Sequence, residues 1–156
     1  FLINYSATIF NLTNYSSRFI FTLLILSITK GVVIMEKHFI GIDHVQVAAP
    51  ANQEDLARVF YAKKLGFKEI PKPDNLAQKG GVWFQIGQQQ LHIGIENNFS
   101  PAKKAHPAFA VHNATEVRKN LELQEVEIVY GDEIEGADRF YIYDPFGNRL
   151  EIIEWL

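Results

Sequence analysis

The chain has 156 residues, with 15 Lys and Arg against 18 Asp and Glu, five His and no Cys. That length suits one domain, or two small modules sharing a core, and 47% hydrophobic with 21% charged residues is a globular balance, not a disordered or fibrous one. The absence of cysteine excludes a disulfide scaffold, a zinc–thiolate site, an iron–sulfur centre and a thiol nucleophile, and a net charge of −3 without a basic cluster argues against a nucleic-acid partner.

In chain order, the first feature is a break in composition at Met35, the only methionine. Residues 1–35 contain no Asp or Glu and only two cations, Arg18 and Lys30, which leaves 13 cations and 18 anions to the rest of the chain. Phe19 to Ile28 is apolar except for Thr22 and Ser27, as in the core of a signal peptide, but no A-x-A cleavage site follows. Lys30 and Gly31 interrupt the run well short of the ~20 residues of a membrane span. The residues of this segment have AT-rich codons, and Lys30-Gly31-Val32 permits a purine-rich ribosome-binding sequence just before Met35. We therefore expect residues 1–34 to be a non-native upstream extension, with a signal or anchor segment as the alternative, and the folded domain to occupy 35–156, in the cytoplasm and with no membrane partner.

From there the pattern reads as strand, helix, three strands, and then the same again. Phe39 to Ala49 alternates as a strand. Ala51 to Leu65 reads as a helix with Leu56, Val59, Phe60 and Leu65 on its apolar side and Gly66 as its left-handed cap. Phe67 to Ile70 starts a strand that Pro71-Lys72-Pro73 ends, and Gly81–Ile86 with Gln89–Glu96 forms a hairpin around Gly87. After a linker at Asn97–Ala105, Pro107–Val111 is a strand. Asn113 caps a helix over Ala114–Leu123, with Glu116 three residues on. Val126–Tyr130 is the next strand, and Arg139–Tyr143 pairs with Arg149–Glu154 across the turn Asp144-Pro145-Phe146-Gly147-Asn148. The result is α+β, two βαβββ modules over 38–96 and 105–155.

Strand alternation then collects the chemistry. His44, His92, His106 and Glu151 each share a strand face with small or polar residues, while the opposite face is apolar: Val45, Val47 and Ala49 behind His44, Leu91 and Ile93 behind His92, Phe109 behind His106, Leu150 and Ile152 behind Glu151. Ala108, Ala110 and Gly94 beside histidines suit a cavity with room for a metal and a ligand. Imidazole and carboxylate together suit borderline divalent ions, and two His with one carboxylate leave coordination positions open. His38 and His112 fall outside the pattern and read as structural or exposed. Trp83, Phe140, Tyr141 and Tyr143 either line the pocket or pack the core.

These residues resemble the vicinal oxygen chelate superfamily of glyoxalase, bleomycin-resistance and dioxygenase proteins, over about Ile40 to Trp155. The likeness is carried by Ile42-Asp-His44-Val-Gln-Val, Ala57-Arg-Val-Phe-Tyr61 with Leu65-Gly-Phe67, His106-Pro-Ala-Phe-Ala-Val111 and Phe140-Tyr-Ile-Tyr-Asp-Pro-Phe-Gly-Asn-Arg-Leu-Glu151. The resemblance implies a glyoxalase-like fold whose strands curl as a mixed sheet around a metal cavity, one divalent ion (Ni, Co, Zn, Mn or Fe) held by His44, His92, His106 and Glu151, and a homodimer. It implies a lyase or isomerase that chelates a small vicinal-oxygen substrate and stabilises an enediolate or oxyanion, with Glu151 or His92 moving the proton and a low-molecular-weight thiol as a further partner. His92 stands where glyoxalase I has a glutamate. Alternatives within the family are a thiol transferase, a dioxygenase, and a protein of the bleomycin-resistance type that sequesters a drug or metabolite without turnover.

Overall fold

The computed structural model describes residues 38–156. The expectation for residues 1–34 lies outside the described residues. The segment Ile42–Leu156 forms one compact unit, and among the described residues no helix is long and apolar enough to cross a membrane.

The first module runs β1 (His44–Ala49), α1 (Glu54–Ala57, continuing as a π-helix over Arg58–Lys64), β2 (Lys68–Ile70), a short α2 (Asp74–Ala77), β3 (Val82–Ile86) and β4 (Gln89–Ile95). The second runs β5 (Ala108–Ala110), α3 (Ala114–Leu123), β6 (Ala137–Tyr143) and β7 (Arg149–Trp155). Each module builds its own mixed sheet, in the order β1-β4-β3-β2 and β5-β7-β6. In both, the first strand lies parallel to the last, and the last is antiparallel to the strand before it. This is the α+β repeat that the alternation implies, although neither sheet closes on itself.

Local signals set the element ends. Asn113 accepts a hydrogen bond from the Glu116 amide at 2.8 Å, which satisfies one of the open N–H groups of α3. Gly66 ends α1 with φ at +75°, a conformation open to glycine without penalty. Gly147 takes φ of +87° in the β6–β7 turn. Gly81, at φ +79°, lies so close to the Ile93 carbonyl that a Cβ would meet it at 2.2 Å, so β3 can approach β4 only through glycine.

Three expectations are corrected. The first strand starts at His44, not Phe39, because its pairing with β4 begins at His44 opposite Gln90, one residue from the start of β4. The helix stripe that enters the core is Ala57, Phe60 and Tyr61, while Leu56 and Val59 stay about 40% exposed (41% and 39%). The π-helical turn, in which the Leu65 amide reaches back five residues to the Phe60 carbonyl, accompanies this shift, and the Tyr61 hydroxyl finds a buried acceptor in Asp144 at 2.7 Å. Finally, Val126–Tyr130 is not a strand. It makes a single bridge, Val129 to Tyr141, because the chain turns through a left-handed Glu125 and uses Val126 and Ile128 to pack on the core.

A buried polar joint links the modules, beside the half-buried reciprocal hydrogen bonds of Lys64 and Gln124. Asp144 accepts from Tyr61 OH, from the Phe146 and Asn148 amides and from Asn148 Nδ2, all within 2.7–2.9 Å. Asn148 Nδ2 also donates to the Ala48 carbonyl of β1 at 2.8 Å. The D-P-F-G-N turn of the second module is thus fastened to both α1 and β1 of the first. Around the joint the core holds Phe84, Leu91, Ile93, Phe140, Ile142 and Leu150, all 0–1% exposed.

Candidate metal centre and adjoining cavity

Strand pairing brings the four selected residues together in two pairs of matched geometry. In the first sheet, β1 and β4 pair so that His92 lies opposite Gln46, two positions along from His44. In the second, Glu151 lies opposite Ala108, two positions along from His106. The antiparallel neighbour adds an aromatic ring in both cases, Trp83 opposite His92 and Tyr141 opposite Glu151. The repeat seen in the spacing is therefore a repeat in register.

The first pair is a stack of rings. His44 lies on His92 with centroids 4.1 Å apart, and His92 lies on Trp83 at 3.7 Å and an interplanar angle of 2°. With both faces covered His92 is 4% exposed. Burial, followed by the neighbouring His44, pushes its pKa below the usual histidine range. Its Nε2–H donates to Gln90 Oε1 at 2.9 Å, which leaves the lone pair on Nδ1. His44 is more exposed, and its Nδ1–H donates to the Asp43 carboxylate at 2.7 Å.

The second pair is an ion-pair network. His106 Nε2 lies 3.0 Å from Glu151 Oε2. Glu151 Oε1 accepts from Arg139 Nε at 2.5 Å, with both side chains 10% exposed. Burial alone would raise the Glu151 pKa, but Arg139 and His106 outweigh it and hold the carboxyl below its usual range. Arg139 also donates to the Tyr141 hydroxyl. His106 Nδ1–H donates to the Lys104 carbonyl at 2.7 Å, and Arg149 Nη2 donates to the same oxygen. The 2.9 Å approach of Arg149 Nη2 to His106 Nδ1 is then the side of a triangle around one acceptor, not a third hydrogen bond.

Both first-strand histidines thus commit Nδ1–H to an oxygen, the arrangement that orients metal-binding imidazoles; among the described residues Nε2 of His44 has no hydrogen-bond partner, whereas Nε2 of His106 lies on Glu151. The donor types suit a borderline divalent ion. Their placement within one chain does not complete a site, because among the described residues no three His, Cys, Asp or Glu side chains are grouped closely enough to hold an ion.

A cavity of about 860 Å³ adjoins the two pairs, between β1 and β5. Its walls include Gln46 and Ala48 from the His44 face, Gln90 from the His92 face, and His106 with Arg149. Of the four selected residues only His106 lines it. Among the aromatics, Trp83 belongs to the ring stack and Tyr141 to the network, whereas Phe140 is core and Tyr143 is 45% exposed. His38 and His112 are exposed, as expected. Sequence reasoning missed Asp43, Arg139 and Arg149. The alternation of β6, with Phe140 and Ile142 buried on one side, already puts Arg139 and Tyr141 on the Glu151 side.

Comparison with known proteins agrees with this fold. The family model of the glyoxalase/bleomycin resistance protein/dioxygenase superfamily matches residues 41–152. A glyoxalase family protein from Bacillus anthracis is 49% identical, with a TM-score of 0.74 over 76% of this chain and 97% of its own. A glyoxalase family protein from Enterococcus faecalis is 29% identical, with a TM-score of 0.60 over 75% and 99%. A lactoylglutathione lyase from Agrobacterium tumefaciens shares the fold at 21% identity, with a TM-score of 0.58 over 73% and 92%. No curated protein sequence matches the chain. The matched repeat, its paired donors and a family match over most of the chain lead to one conclusion: this chain belongs to the glyoxalase/bleomycin resistance protein/dioxygenase superfamily.

Proposed function

We propose that the protein is a small cytoplasmic metal-dependent enzyme of the glyoxalase type, a lyase or isomerase acting on a small vicinal-oxygen substrate, with a low-molecular-weight thiol as a further partner. The observation that carries this reading is the matched presentation of His44 and His106, each with Nδ1–H anchored on an oxygen and the second with Nε2 on the Glu151 carboxylate. We assign the ion to His44, His92, His106 and Glu151. A divalent ion bound there would polarise two adjacent substrate oxygens as a Lewis acid. Glu151, ionised at neutral pH, serves as proton acceptor, and His92, neutral with its lone pair on Nδ1, is the second group able to take a proton.

Because one chain divides the donors into two pairs, we assign the working site to a homodimer in which His44 and His92 of one copy face His106 and Glu151 of the other. Complementation tests this. His44→Ala and His106→Ala homodimers should each lose the ion. After the two variants are unfolded and refolded together, half the dimers are mixed and each carries one intact site, so about a quarter of wild-type metal content returns. Metal analysis showing no recovery would place the site within single chains. Unchanged metal in both single variants would remove these residues from the site.

We also assign the domain to 35–156, with modules 38–96 and 105–155. The Bacillus anthracis protein supports this, since almost its whole length matches three quarters of this chain. A chain starting at Met35 is expected to match the full chain in melting temperature and metal content. A drop in either would restore a structural role to residues 1–34.

The apolar part of the cavity wall favours a second reading, sequestration of a drug or metabolite. It prevails if the metal-loaded protein binds a small ligand tightly and returns it chemically unchanged after hours.

A further inference from the structure

The cavity wall holds a cation that no carboxylate neutralises among the described residues. Arg149 is the only Lys or Arg lining the cavity, next to apolar surface from Val47, Ile86 and Phe109. Glu151, two positions along the same strand face, is already taken by Arg139 and His106. One nitrogen of Arg149, Nη2, is spent on the Lys104 carbonyl. Nε is buried with no hydrogen-bond partner, and the hydrogen bonds of the described residues give Nη1 none. The guanidinium carbon lies over the Tyr141 ring, 4.9 Å from its centroid. A guanidinium with its Nη1–H groups unengaged among the described residues, beside a partly apolar cavity, suits a carboxylate in charge and hydrogen bonding, and low dielectric strengthens that match.

We propose that Arg149 is the anion anchor of this cavity and that the ligand is a small organic acid, its carboxylate on the guanidinium and its apolar body against Val47, Ile86 and Phe109. This rests on the reading of the cavity as the substrate pocket. Arg149 Nη2 and His106 Nδ1 are 2.9 Å apart, so the anchored head sits one imidazole ring away from the His106–Glu151 contact.

The test uses the full chain kept metal-free with a chelator, titrated calorimetrically at constant ionic strength with benzoate and with its neutral isostere benzamide. Benzoate should saturate and bind at least about tenfold more tightly than benzamide, as expected for a charge-assisted pair. Arg149→Gln should abolish that preference and leave benzamide affinity unchanged. In the wild-type chain the Arg149 Nε–H resonance should shift with benzoate and stay in place with benzamide, a readout that needs no variant. Equal affinity for the two probes, no saturable binding of either, or a preference that survives Arg149→Gln would overturn the proposal. The metal-free format keeps the outcomes separate. Loss of benzoate discrimination in a protein that binds its ion removes only the anchor, and retained discrimination in a protein that binds no ion removes only the metal reading.

Discussion

Glu151→Gln is expected to unfold well below the wild-type temperature at neutral pH, to bind metal poorly and to lose turnover. In the folded chain the carboxylate is the shared acceptor of Arg139 and His106 and is 8% exposed. The amide keeps the shape and one acceptor oxygen but leaves the nearly buried Arg139 charge uncompensated. Breaking one side of such a pair costs about 3–5 kcal/mol, and the isosteric replacement puts this variant near the low end. Because the folded-state pKa of Glu151 is depressed, its ionised form contributes stability in full above the unfolded carboxyl value of 4.5. That contribution disappears as pH falls through the folded value. Denaturant titrations of the two proteins should therefore differ most near pH 7 and converge in acid. Activity assays run where both are folded should show a rate loss of roughly 10²–10⁴-fold, larger than any loss of substrate affinity, if Glu151 accepts the proton. A variant as stable as wild type at pH 7 would show that the Arg139–Glu151–His106 network contributes nothing to folding. Unchanged turnover would remove Glu151 from the chemistry.

The joint between the modules should be nearly as sensitive. Asp144→Ala removes the acceptor of four donors, among them the buried Tyr61 hydroxyl and both the amide and side-chain nitrogens of Asn148. Each buried donor left without a partner costs about 1–3 kcal/mol. Asn148 Nδ2 keeps the Ala48 carbonyl, and water can reach the turn, so a total of about 4 kcal/mol is expected. Tyr61→Phe should cost only about 1 kcal/mol, since the donor and its demand disappear together. In a double-mutant cycle the two substitutions should couple, because part of the cost of Asp144→Ala is the stranded Tyr61 hydroxyl. Chemical denaturation placing Asp144→Ala within about 1 kcal/mol of wild type would show that the Asp144 joint contributes little to holding the modules together.

Much of this protein was legible from residue order. Alternation with period two sorted each strand into two faces, because adjacent side chains of a strand must point to opposite sides, and so Leu91, Ile93, Leu150 and Ile152 fell to the core and His92 and Glu151 to the face opposite. Asn113, Gly66 and Gly147 marked their helix ends and turn because capping and left-handed backbone are local properties. The repeat offset anticipated the common register of His44 with His92 and His106 with Glu151. Other features were set by partners distant in sequence. Leu56 and Val59 read as core until Tyr61 found Asp144 83 residues away. Val126–Tyr130 has strand-forming residues but pairs at one bridge only, since strand formation depends on what lies alongside. The division of the donors into two pairs, the Arg139 grip on Glu151 and the place of Arg149 at the cavity were decided by tertiary structure alone. Charge partners are chosen by proximity in space, and a single sequence records which residues share a face but not which faces meet.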